Sequence, residues 1–110
     1  MDIEKLLNEI KEQILLISKD KFKDYIPELQ KDLNAFLKSS KEKLERWSVL
    51  LSEGSINQEE FEWLVKSQHS LLGLNALQTA GLSKIKLNNL KNNILKTIVE
   101  TTAKALIVGL

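Results

Sequence analysis

The chain contains no cysteine, which excludes a disulfide framework, a thiolate nucleophile and any cysteine-bound zinc or iron–sulfur centre. It has one proline, Pro27, and four glycines, so few positions interrupt a helix. His69 is the single histidine, and neither an H-E-x-x-H zinc motif nor an E-x-x-H pair of the di-iron bundle type can be built around it. Arginine, the strongest reader of base edges, occurs once, as Arg46. No stretch of uncharged apolar residues reaches the length that crosses a bilayer. No serine lies in a G-x-S-x-G elbow, and no Walker sequence or glycine-rich dinucleotide loop is present. Acidic charge follows Met1 at once, in Asp2-Ile3-Glu4, so no signal peptide is expected. These absences favour a non-enzymatic protein without metal or cofactor. They fit a cytoplasmic setting, with peripheral membrane attachment as the alternative.

What is present fits one helical domain over residues 1–110. Apolar residues form 43% and charged residues 28% of the chain, too apolar for disorder and enough for a modest core. The net charge of +1 is unevenly placed. Residues 1–78 carry 11 basic and 14 acidic side chains, whereas residues 79–110 carry five lysines and one glutamate. The C-terminal part is therefore basic and the rest acidic, which bears on partners.

The hydrophobic spacing predicts an all-α, up-down bundle of four helices, at about 3–25, 27–53, 58–79 and 84–107. Ile3, Leu7, Ile10, Ile14 and Ile17 recur every three or four residues on one face of the first. Pro27 suits a first helical turn and disfavours a helical residue before it, so a break is expected at 25–27, with one bent helix from 3 to 52 as the alternative. Leu29, Leu33, Phe36, Leu37, Leu44, Trp47 and Leu51 mark the second helix, with Ser40 in the apolar phase. There a small residue either admits a close helix crossing or marks a locally exposed turn.

Gly54 is the natural left-handed stop for that helix, and Asn57 with Glu60 forms a capping box, stapled by Ile56 and Phe61. Residues 51–61 resemble the turn of short helical-hairpin oligomerisation domains of bacterial proteins. Capping chemistry alone also produces such a turn, and no function is carried across. Phe61, Leu64, Val65, Leu71, Leu72, Leu74 and Leu77 are the apolar set of helix three. Gly81 and Ser83 separate it from helix four.

The fourth helix differs in kind. Asn88, Asn89, Asn92 and Asn93 give its first half a polar face, while residues 94–110 are apolar or small except at Lys96, Glu100 and Lys104. So wide an apolar face near a terminus predicts association, either with a second copy of the chain in a homo-oligomer or with another protein partner. The side chains expected to carry it are Ile94, Leu95, Ile98, Val99, Leu106, Ile107 and Leu110, together with Trp63, one residue off the Leu64/Val65 stripe. The alternative is a membrane-surface or membrane-inserting protein whose basic, amphipathic last helix lies on an anionic lipid surface. Nucleic acid is the weaker partner: the Lys19/Lys21/Lys23 and Lys84/Lys86/Lys91 clusters read most simply as solvated helix faces. The same holds for the carboxylates Asp20, Asp24, Glu59, Glu60 and Glu62, which sit at a helix start or beside lysines.

Overall fold

A computed structural model describes residues 2–108, and among these every regular element is helical. Helix α1, Ile3–Ser18, starts at Asp2, whose carboxylate accepts the Lys5 amide at 3.2 Å. Its buried side is Ile3, Leu6, Leu7, Ile10, Ile14 and Ser18. Ile17, expected on that stripe, is instead half-exposed. The Phe22 amide donates to the Ser18 carbonyl at 2.9 Å, so the backbone continues in phase from Ser18 to Phe22 and buries that ring. The four-residue step from Ile14 to Ser18 to Phe22 leaves Leu16 and Ile17 outside.

The first helix thus ends at 18 rather than 25. A single turn, Lys23–Tyr25, leads into α2, Ile26–Ser52, with Pro27 in its first turn, where the missing N–H has no partner to lose. The two helices are separate, not one bent rod. Ser40 lies in the apolar phase of α2 and is buried, as is Ser48 two turns on, so the small residue marks close packing and not an exposed turn. Gly54, at φ 77°, closes α2, and the Ser55 amide returns to the Leu50 carbonyl at 2.9 Å. Asn57 then caps α3, Gln58–Lys66: the Glu60 amide donates to Asn57 Oδ1 at 2.7 Å and the Asn57 amide to Glu60 Oε1 at 3.0 Å.

The expected continuous third helix breaks after Lys66. A short turn, His69–Leu71, and the five-residue helix α4, Asn75–Thr79, replace its second half, with Leu74 at φ 49° between them. Two causes are visible. Leu72 and Leu74 lie two residues apart, on opposite sides of any continuous helix, yet both are buried because the chain turns at Gly73. The second is Asp32, on α2 and itself buried. Its two carboxylate oxygens accept the Ala76 and Leu77 amides, each at 2.9 Å, and so cap α4 from 44 residues away. Gly81, at φ 99°, ends α4, and Ser83 caps α5, Lys84–Val108, by accepting the Lys86 amide at 3.3 Å.

Packing runs around a square. Helix α1 lies on α2, α2 on α3 and α4, α3 on α5, and α5 returns to α1, which leaves α2 and α5 at opposite corners. The molecule measures 42 × 22 × 20 Å, its long axis set by the 27 residues of α2, about 40 Å of helix. Ion pairing adds a surface tie between Lys41 on α2 and Glu4 on α1. The Glu4 carboxylate, by its hydrogen bond and then its charge, holds the Lys41 ammonium above the usual lysine range. That contribution is complete below the ordinary lysine pKa and fades as pH rises through the raised one.

Replacing Asp32 by alanine strands two amides at the buried start of α4. The expected loss is about 2–3 kcal/mol in urea unfolding, against about 1 kcal/mol for Asn57→Ala at the exposed cap. A cost for Asp32→Ala no larger than for Asn57→Ala would show that the long-range cap is not formed.

Candidate functional site

Helix α5 has two sides of opposite character. Inward it presents Leu87, Leu90, Ile94, Leu95, Ile98, Val99 and Ala105, with Thr97, Thr101 and Thr102 filling the phase between them, all buried. Together these cover about half of the helix circumference at 100° per residue. Thr97 hides its polarity by donating to the Asn93 carbonyl at 2.7 Å. Outward lie Asn89, Asn93, Lys96 and Glu100, bracketed by Ile85 near one end and Ile107 near the other, both strongly exposed.

This placement corrects the reading of the C-terminal helix as a surface too greasy for one chain to hide. Ile94, Leu95, Ile98 and Val99 belong to the core, because α1 closes over one flank of α5 and α3 over the other. Leu106 is half-buried and Ile107 is 84% exposed. Leu110 lies outside the described residues. Trp63 goes the other way. One residue off the Leu64/Val65 stripe, it is 75% exposed, on the side of α3 opposite the buried Phe61 and Val65. Its helical neighbours are Glu59, Glu60, Lys66 and Ser67, with Lys66 paired to Glu62 at 2.8 Å. Trp47, on the apolar stripe of α2, is half-buried against the core. Leu71, expected in the apolar set of helix three, is exposed, and Leu16 and Ile85 are exposed apolar residues that spacing did not single out.

The outward strip of α5 is a ridge between two grooves. In the groove shared with α3, about 760 Å³, Glu62, Lys66 and His69 face Asn92, Lys96 and Glu100, with Leu95 and Val99 between them. The groove shared with α1, about 640 Å³, runs past Phe22, Leu90 and Ala105. Lys96 and Glu100, 3.9 Å apart, border both. Among the described residues no three His, Asp or Glu side chains gather closely enough to hold a metal ion, and no helix is long and apolar enough to cross a membrane. The apolar side of α5 that would lie on lipid faces the core while the bundle is closed.

Comparison with protein-family models, curated proteins and solved structures finds no match. The likeness at residues 51–61 therefore stays a likeness of turn chemistry.

Core and surface positions of α5 separate in a simple pair of variants. Ile98→Ala should cost about 2–4 kcal/mol in chemical unfolding. Ile107→Ala and Trp63→Ala should each stay within about 0.5 kcal/mol. Similar costs for Ile98 and Ile107 would contradict the placement of α5.

Proposed function

We propose that this chain is a non-enzymatic interaction protein that self-associates through the outward face of α3 and α5, with Trp63 as its anchor. The supporting observation is Trp63 itself, three-quarters exposed in a molecule whose other large aromatic rings are at least half covered. A solvated indole gains nothing for the fold, whereas tryptophan is among the residues that most often carry binding energy at interfaces.

The charge pattern favours a second copy over an unrelated partner. Glu59, Glu60 and Glu62 make the start of α3 acidic, while Lys66 follows on α3 and Lys96 and Lys104 stand on α5. A face that carries both signs in separate places can complement itself across a two-fold axis, the commonest symmetry of homo-oligomers. Ile107 would then extend the contact beyond the indole. The core of each subunit is not opened, so association adds to a bundle already formed.

Light scattering on size-exclusion fractions tests this reading. With rising protein concentration the mass should climb from 12.5 kDa toward twice that value, and Trp63→Arg should hold it at the monomer with unchanged helix content. In a Trp47→Phe background the remaining emission, from Trp63, should shift to the blue as the mass rises. A monomer at every concentration, or a dimer indifferent to Trp63→Arg, would overturn it.

A further inference from the structure

The groove between α1 and α5 lies on the flank of the α5 ridge away from α3 and Trp63. Its floor is formed by the buried Phe22, Leu90 and Ala105, softened by the hydroxyls of Thr97 and Thr101, and the half-exposed Ile17 forms part of its wall. From Leu90 to Ala105 it follows α5 for about 22 Å. At about 640 Å³ it falls within the range of small-molecule sites. Gln13, Ser18 and Asn93 add polar groups to its lining, and its length along α5 suits an extended chain better than a compact ring.

Three lysines border it: Lys21 at the end near Phe22, Lys96 midway, and Lys104 at the end near Ala105. Two carboxylates border it as well, and both have partners. Glu9 accepts from the Gln13 amide at 3.2 Å, and Glu100 stands beside Lys96. Among the described residues Lys21 and Lys104 form no ion pair, so each end of the groove offers an ammonium. A groove with Ile17, Phe22, Leu90 and Ala105 along it and a cation at either mouth is complementary to a negatively charged head on a hydrocarbon tail.

We infer that this groove binds a single-chain anionic amphiphile, such as an alkyl carboxylate, with its tail along Leu90 and Ala105 and its head at Lys21 or Lys104. The tail displaces water from a floor that is already apolar, which supplies most of the affinity. The ammonium at the mouth then selects the sign of the head group. The site shares Lys96 and Lys104 with the proposed association face but not Trp63, so dodecanoate binding by the monomeric Trp63→Arg variant separates the two readings.

The test uses dodecanoate below its micelle-forming concentration, with dodecyltrimethylammonium and acetate as matched controls for charge and chain. Titration followed by methyl NMR should show saturable shifts at Ile17, Leu90 and Ala105 for dodecanoate and none for acetate. The double charge reversal Lys21→Glu with Lys104→Glu changes only exposed positions. It should weaken dodecanoate by about tenfold or more at unchanged helix content. Absence of saturable shifts overturns the inference, as does equal binding of the cationic amphiphile or indifference to the double reversal.

Discussion

Half of the surface of α5 is apolar or small, and covering that half between α1 and α3 is the constraint from which the rest of the bundle follows. Each fully covered isoleucine or leucine there is worth about 1.5–3 kcal/mol relative to exposure. Ile94, Leu95, Ile98 and Val99 together therefore dominate any single polar contact in the molecule. The corner position of α5 supplies the covering: α1 shields the flank of Leu90, Thr97 and Thr101, and α3 the flank of Leu95 and Val99. The threonines let neighbouring helices come close where a larger side chain would hold them apart.

That arrangement asks for a fourth corner between α2 and α5, and one straight helix over 58–79 does not provide it. Leu72, Leu74 and Leu77 reach the core only if the chain breaks, and a five-residue helix such as α4 does not stand alone in water. Asp32 resolves the conflict. By holding the first amides of α4 from the neighbouring helix, its carboxylate fixes both the break and the direction in which the chain resumes. The left-handed Leu74 is the local strain this solution carries, of order 1–3 kcal/mol for a non-glycine residue.

Much of this was legible in the residues. The all-α class, the stop at Gly54, the capping box of Asn57 and Glu60, the restart at Ser83 and the first-turn position of Pro27 all follow from chemistry local to a few positions. What was not legible is non-local. Nothing near Asn75 announces that Asp32 will cap it, and the leucines of 71–77 mimic a helical stripe although their spacing suits no single helix face. The width of the apolar side of α5 was correctly read, but its meaning depends on how many neighbours enclose it, and spacing along one helix does not count neighbours. Trp63 stood out by its offset from the Leu64/Val65 stripe, while the groove at Lys21 and Lys104 joins residues 83 positions apart and left no mark in either segment.

With α5 committed to the core, function moves to what the closed bundle shows to solvent: an indole on α3, a polar ridge on α5 and the grooves beside it. The same commitment explains why an acidic N-terminal part and a basic last helix coexist in one chain, since their polar sides face outward around a shared apolar centre. The most direct measurement is amide hydrogen exchange over residues 94–102 in dilute solution. If one subunit encloses α5, those amides exchange only through global unfolding, at rates that do not change with protein concentration. Fast exchange there in the dilute protein, with protection gained only on concentration, would contradict the account.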